Sequence, residues 1–390
     1  MSKTAAEILT GVDLFADDQR EHLLDALAIA RRERPVPHTD ADGGYHLVTR
    51  YEDVRSVCER PELFSSVHPG LRPQPVRLVP LDVDPPGHRA YRQFLNQYFS
   101  RSFLLRYEGQ MRQVARDAIA VFAGRGEVEV VGEYAVPFSA GSLARVVFAT
   151  DDMDLVNRGV SAVSRVALEM TPDTFGAVAQ LAMEAMGRAE AAGSAGEDVL
   201  SALVHETIDG RPFTVEERLG IVTTLLLGGL DTTRGVIANI AYHLATREDV
   251  EAVLRDPDWS NGPLDEFLRY ESTVSFMART VTRDTEVAGT PLRAGDRLAL
   301  HFSSANRDGA RFQRPDELVL DRSDNPHVAF GHGVHRCLGA QFARIQLTIA
   351  FEELLARTTR FRLKEGAPLT RHAGVPLGSP AELHLVFDRR

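Results

Sequence analysis

Residues 329–340 read AFGHGVHRCLGA and set one of only two cysteines in 390 residues among three glycines and three basic side chains. Downstream the pattern turns helical, in AQFARIQLTIAFEELLART, so Cys337 is predicted at or just before a helix N-terminus. A thiolate there is favoured by the helix dipole and by free backbone N–H groups, which the glycines allow close to the sulfur. Cys337 therefore reads as poised to be an anion. Three uses fit that chemistry. Cys337 could be a nucleophile with His332 or His335 as its base. It could ligate zinc, although only Cys337, His332 and His335 are on offer locally for a site that wants three or four ligands. It could also ligate haem iron as a thiolate.

Working outward, the composition is 44% hydrophobic and 25% charged, that of a soluble globular protein with material for a large core. No linker, like-charge block or repeat marks a boundary, so residues 1–390 read as one mostly helical domain. The N-terminal stretch carries acidic residues throughout and lacks both a signal-peptide core and an apolar run that would span a membrane, which predicts a cytoplasmic protein. A net charge of −11 argues against nucleic acid as a partner. Cys58 and Cys337 have no partner motif, so neither a disulfide framework nor a Cys-based zinc site is expected, and Cys58 reads as a buried helix residue.

Residues 45–60 begin as a strand and become a helix, residues 62–83 read as loop, and Asp84 is expected to cap a helix with Pro85 at its first position. A capping box at Thr214 and Glu217 opens a long proline-free helix through LGIVTTLLLGGLDTTRGVIANIAYHLA. Gly228 and Gly229 each cost about 1 kcal/mol relative to alanine in its interior. Followed by Asp231, Thr232 and Thr233, they mark a place where something approaches the backbone. Thr232 can bond back to a carbonyl one turn earlier, whereas Thr233 reads as a packing residue. After Pro263, Glu266 and Arg269 share a helix face, and spacing alone makes them a solvated pair worth well under about 1 kcal/mol. Residues 280–308 alternate and turn at glycines, predicting short hairpins.

Three motifs then carry a resemblance. Phe330-x-x-Gly333-x-x-x-Cys337-x-Gly339 resembles the haem-binding signature of the cytochrome P450 family. Gly228 to Thr233 resembles that family's long central helix, and Glu266-x-x-Arg269 its buried Glu-x-x-Arg pair. They stand in the family's order, and similar text from VTRYEDV near residue 48 to the end covers most of the chain. The resemblance implies a mainly α fold with small β-sheets, the haem lying between the long helix and the Cys-ligand helix.

It also implies residue roles. Cys337 is the axial iron ligand, Phe330 packs near its sulfur, and Gly331 and Gly339 belong to the ligand loop. Asp231 and Thr232 are the acid and alcohol that deliver protons, with Gly228 and Gly229 leaving space for dioxygen and substrate. Glu266, Arg269 and Arg322 form a buried structural network. His88, Arg92, Arg279 and His335 meet the haem propionates. Substrate contacts fall on the loop from Leu71 to Val79, on Thr224, Leu227 and Gly228, on Val274, Ser275, Phe276 and Met277, and on Val375, Pro376 and Leu377. His68, Arg72 and Arg77 offer an alternative, the recruitment of a carboxylate.

The implied activity is that of a haem b monooxygenase that uses O2 to hydroxylate or O-dealkylate a small to medium lipophilic substrate. Electrons come from NAD(P)H through a separate reductase and ferredoxin, docked near Cys337 where Arg92, Arg336 and Arg344 offer positive charge. The protein is expected to be a monomer. A peroxide-driven peroxygenase and a haem sensor without turnover are the alternatives, and the presence of both Asp231 and Thr232 counts against each.

Overall fold

The computed structural model describes residues 13–15, 20–72, 74–169, 171–193, 196–371 and 379–390. Helix α1 (Arg20–Glu33) leads into strands β1 (His38–Thr39) and β2 (Tyr45–Val48), helix α2 (Tyr51–Cys58) and strand β3 (Phe64–Ser65). Helices α3 (Gly87–Asn96), α4 (Arg101–Leu104) and α5 (Glu108–Phe122) follow, then strand β4 (Glu127–Glu129). Helices α6 (Val136–Val147), α7 (Met153–Glu169), α8 (Pro172–Ala192) and α9 (Val199–His205) come next. A hairpin of β5 (Thr207–Ile208) and β6 (Arg211–Pro212) then meets the long α10 (Val215–Thr246). After α11 (Glu248–Leu254) and α12 (Pro263–Glu271) come strands β7 (Phe276–Val281), β8 (Thr285–Val287), β9 (Thr290–Leu292) and β10 (Arg297–His301). The chain ends with α13 (Phe302–Ala305), α14 (Ala340–Leu355), β11 (Thr358–Leu363), β12 (Leu369–Arg371) and β13 (Pro380–Arg389).

One sheet has the order β1-β2-β10-β7-β3, with β2 and β10 parallel and the other neighbours antiparallel. In the second, β13 pairs with β11, β12 and β4. The architecture is mainly α with small sheets, as expected.

The capping box forms as its spacing predicts. Thr214 Oγ1 accepts from the Glu217 N–H at 3.2 Å and the Glu217 carboxylate accepts from the Thr214 N–H at 2.8 Å. The 32-residue α10 that follows is long and apolar enough to cross a membrane by length and composition, yet most of its apolar window is buried inside the protein. A helix that is apolar on nearly all sides wants such a setting. Residues of α5, α6, α10 and α14 share the main core, where Phe122, Phe138 and Phe351 are wholly buried. Each such ring contributes about 1.5–3 kcal/mol of transfer free energy.

Three local expectations need correcting. Helix α3 begins at Gly87 rather than Pro85, and the Asp84 carboxylate does not cap it. That carboxylate instead accepts from Ser65 Oγ at 2.5 Å and Ser66 N–H at 2.8 Å, fastening β3 to the start of the helix. Residues 62–83 are not all loop, because Phe64 and Ser65 pair with β7. Residues 302–305, read as hairpin, form the short α13, where His301 accepts from the Ser304 N–H.

The third motif is also not the surface pair its spacing suggests. Glu266 and Arg269 have no exposed surface. Arg269 donates to both Glu266 oxygens at 2.8 Å, and the same carboxylate accepts from Arg322 Nε at 2.8 Å, Asn325 Nδ2 at 3.1 Å and the Val319 N–H at 2.7 Å. Arg269 also donates to the carbonyls of Asn306, Pro315 and Glu317. Burial pushes the Glu266 carboxyl up, but the Arg269 and Arg322 donors outweigh it and hold the group below the ordinary carboxylate range. The network pins the 306–325 segment, which leads into the Cys337 loop, to α12.

Candidate haem site

The Cys337 loop is shaped by its own backbone. Cys337 N–H donates to the Phe330 carbonyl at 2.8 Å, and Gly331 N–H to that of Val328 at 2.9 Å. Gly333 has φ +69°, and a Cβ there would lie 2.4 Å from the Cys58 carbonyl oxygen, so only glycine lets the loop rest on the end of α2. Cys58 is buried as expected. Cys337 carries exposed surface, but that surface is the wall of an internal cavity of about 310 Å3. Burial raises the Cys337 thiol above its ordinary range, opposed by the Gly339 N–H and by Arg92 and Arg336. The sequence argument for an anion weighed the helix terminus and N–H groups without this burial. A cation bound at the sulfur would oppose that burial and favour the thiolate.

Helix α10 forms a second wall, through Thr224, Leu225, Gly228, Gly229, Thr232 and Thr233, adjacent pairs that recur every four residues along one face. The two glycines divide the role assigned to both. A Cβ on Gly228 meets nothing within 4 Å, so Gly228 adds open space to the cavity. A Cβ on Gly229 would come within 2.7 Å of the Leu143 side chain, so Gly229 lets α6 approach α10. Thr232 Oγ1 donates to the Gly228 carbonyl one turn back at 2.7 Å. Thr233 packs as expected, its hydroxyl bonded to Gln346 Oε1 at 3.3 Å.

Asp231 does not line the cavity. It lies beside it, buried and ion-paired with Arg234 one turn on, while its Oδ2 has no hydrogen-bond partner among the described residues. Arg234 was missed in the sequence, although the three-residue spacing used for Glu266 and Arg269 applies to it equally.

His88, Arg92, Arg279 and His335 converge on one corner of the cavity. The His88 and His335 rings lie 4.3 Å apart. Burial, then Arg92, lowers His88 to about 4; burial, then Arg279 and His88, lowers His335 to about 3. Burial also lowers Arg279 and Arg92. Among the described residues no carboxylate lines the cavity, and the buried His335 Nε2 has no partner. Two guanidinium groups and two imidazoles with no carboxylate opposite them are a site for a bound anion.

A family model described as cytochrome P450 matches residues 261–375. A steroid C26-monooxygenase of Mycolicibacterium smegmatis is 33% identical over 355 residues, covering 88% of each chain. The chain belongs to the cytochrome P450 family. An erythromycin C-12 hydroxylase of Saccharopolyspora erythraea is 32% identical over 90% of each chain. Among solved structures, a mutant of P450 EryK in complex with erythromycin B superposes with a TM-score of 0.86 at 28% identity, over 95% of this chain and 97% of that one. The activity class is that of a cytochrome P450 monooxygenase, which incorporates one oxygen atom of O2.

The residues present fit the P450 haem. Its iron would supply a cation at the buried Cys337 sulfur, and its propionates would supply anions for the corner formed by His88, Arg92, Arg279 and His335. Phe330, Gly331 and Gly339 line the same cavity, and a Cβ on Gly339 would lie 3.9 Å from the sulfur.

The positions drawn from P450 resemblance for substrate divide. Thr224, Gly228, Val274, Met277 and Val79 line the cavity, whereas Leu227, Ser275 and Phe276 do not. Leu227 sits a third of a turn off the α10 face that bears Gly228 and Thr232. In β7, Met277 and Arg279 take the cavity side, so alternation sends Phe276 to the other face, where its ring meets Phe15 at 6.1 Å. Leu71 packs against the same satellite core as Phe276. Val375, Pro376 and Leu377 lie outside the described residues. Leu81, Leu95, Leu143 and Val236 also line the cavity and carried no readable motif. None of His68, Arg72 and Arg77 reaches it; Arg72 pairs with Asp42 and Arg77 with Asp82.

Proposed function

We propose that the protein uses haem b and O2 to hydroxylate or O-dealkylate a small to medium, neutral, lipophilic molecule, with residues 1–390 acting as one catalytic unit. The observation that carries this reading is the wall around Gly228 and Thr232. From Val79 to Leu81, along α10 and from Thr273 to Met277, its described residues are apolar or hydroxyl-bearing and none is charged. Such a wall gains about 25 cal/mol for each Å2 of apolar substrate surface removed from water and offers a carboxylate no counter-ion. The relatives named for a steroid and for erythromycin support a ring-built lipophilic substrate.

Cys337 is the ligand that holds the iron, and His88, Arg92, Arg279 and His335 hold the propionates. When bound, haem supplies the iron at which dioxygen is reduced and made reactive toward a C–H bond. Thr232 donates its hydroxyl to the Gly228 carbonyl and so presents an acceptor oxygen to the cavity; rotating off that carbonyl, the same hydroxyl passes a proton inward. Asp231, one residue earlier and screened from the cavity, supplies a fresh proton to replace the one Thr232 gives up. The lipophilic wall keeps bulk water from competing.

Electrons come from NAD(P)H through a reductase and a ferredoxin that docks near Cys337. Arg336 is exposed there, whereas Arg344 is paired with Asp265 and Arg92 donates to the Arg336 carbonyl at 3.0 Å. A cytoplasmic monomer suits this exchange with small partners.

The test is the absorption spectrum of the purified haem protein, reduced under carbon monoxide, with the same protein then titrated with neutral terpenoids, steroids and aromatic acids. A red-shifted Soret band that is lost in Cys337→Ser, together with displacement of iron-bound water by the neutral ligands alone, is the expected result. A band at the position of histidine-ligated haem overturns the ligand assignment, and tighter binding of the acids overturns the neutral-substrate reading.

A further inference from the structure

Asp231, Gly235, Asn239 and His243 stand four apart on α10, so they follow one face at steps of about 6 Å along the axis. The chain from Glu271 to Val274 runs beside that face. His243 Nε2 and Glu271 Oε1 are 2.5 Å apart, while a Cβ at Gly235 would lie 2.9 Å from Thr273 Cγ2 and 2.8 Å from Ser379 Oγ. Thr273 and Val274 then reach the cavity wall.

Five polar atoms on this line have no hydrogen-bond partner among the described residues: Asp231 Oδ2, both amide atoms of Asn239, Thr273 Oγ1 and Ser379 Oγ. Asn239 and Ser379 have no exposed surface, and Asp231 and Thr273 keep 6% and 7%. Buried polar atoms are satisfied in folded proteins by protein or by ordered water, and a concentration of them along one path marks where water is held. Gly235 matters here because a side chain at its position would clash with Thr273 and Ser379, so glycine lets both hydroxyl-bearing side chains come up against the α10 backbone. At the outer end His243 and Glu271 still expose 10% and 12% of their side chains, and at the inner end Asp231 immediately precedes Thr232.

We propose that this face of α10 is one wall of a hydrated track, in which ordered waters bridge Asn239, Ser379 and Thr273 and join the His243–Glu271 pair at the protein's edge to Asp231. Protons consumed in the cavity enter at Glu271 and His243, hop along the waters and arrive at Asp231. Each proton taken from bulk solvent at one end replaces one released at the other, and the waters are left unchanged. The inference rests on the monooxygenase reading of Asp231 and Thr232. Asn239 and Glu271 are positioning residues in it, since neither lines the cavity.

The experiment pairs a crystal structure of the haem-loaded protein with the variants Asn239→Leu, Glu271→Gln and Thr232→Ala. Waters bonded to Asn239 and Ser379 are expected. Product formed per electron pair falls by about tenfold in Asn239→Leu, an order less than loss of a proton donor itself, and by a smaller factor in Glu271→Gln, with substrate dissociation constants unchanged. The urea midpoint separates hydration from a dry, unsatisfied amide. Asn239→Leu lowers it or leaves it unchanged if waters satisfy the amide, and raises it if the site is dry, which overturns the track. If Asn239→Leu and Glu271→Gln keep wild-type coupling while Thr232→Ala uncouples, the track is overturned and the reading of Thr232 stands. If Thr232→Ala also keeps wild-type coupling, the reading beneath the track fails with it.

Discussion

Glu266–Arg269 and Asp231–Arg234 are both acid–arginine pairs three residues apart on a helix, and both are almost wholly out of solvent. Their surroundings differ. Every oxygen of Glu266 is engaged and Arg269 adds three backbone carbonyls, so the pair is a closed knot between α12 and the segment that feeds the Cys337 loop. Asp231 has an oxygen with no described partner and sits beside a cavity. The same local spacing thus yields a fastening where all bonding capacity is used, and a reactive group where some is left open.

The largest effect should come from breaking the closed knot. Arg269→Ala leaves a buried carboxylate without its main partner and is expected to cost about 3–5 kcal/mol, read from urea unfolding, with haem content falling alongside. A loss below about 1 kcal/mol would remove the structural half of the contrast.

A third acid, Glu217, extends the comparison. It accepts from two Arg211 nitrogens at 2.8 and 2.7 Å, from Tyr91 at 2.5 Å and from the Thr214 N–H, so it too is closed. Arg211 first, then Tyr91 and the Thr214 N–H, hold its carboxyl at about 2 against the ordinary 4.5, with burial opposing. A depressed folded-state value means stability that is present above pH 4.5 and lost as pH falls through 2. At about 1.4 kcal/mol per pH unit the full loss is about 3 kcal/mol. The drop in urea midpoint between pH 6 and pH 3 should shrink in Glu217→Gln, and an unchanged drop would mean that closure alone does not confer stability.

The smallest effect on folding belongs to the open pair. Asp231→Asn keeps an oxygen for Arg234, and its expected cost is about 1–2 kcal/mol, while product formation falls by about 100-fold. Unfolding as severe as that of Arg269→Ala would erase the distinction between the pairs.

How much of this was legible depends on the range of the interaction. The Thr214 capping box, the extent of α10, the Thr232 back-bond and the position of Cys337 are local, and spacing was enough to read them. The burial of Glu266 was not, because it requires the 306–325 segment to fold over α12, and from the residues alone the pair read as a surface one; only the resemblance placed it inside. Asp84 has the right chemistry for a cap, but Ser65 and Ser66, nearly twenty residues earlier, claim its oxygens first. Ser275 and Phe276 needed the register of β7, which is set by β10 and β3 rather than by the strand's own sequence.

Gly228 and Gly229 are indistinguishable in the sequence, and their different neighbours carry a consequence for altering the protein. Position 229 is the more constrained, because any side chain there must first displace the Leu143 side chain that α6 packs against it. A Cβ at position 228 meets nothing within 4 Å, so alanine or serine there would take space from the cavity without disturbing how the helices meet. Substitutions at Gly228 would therefore act on what the cavity admits, and substitutions at Gly229 on how α6 and α10 pack.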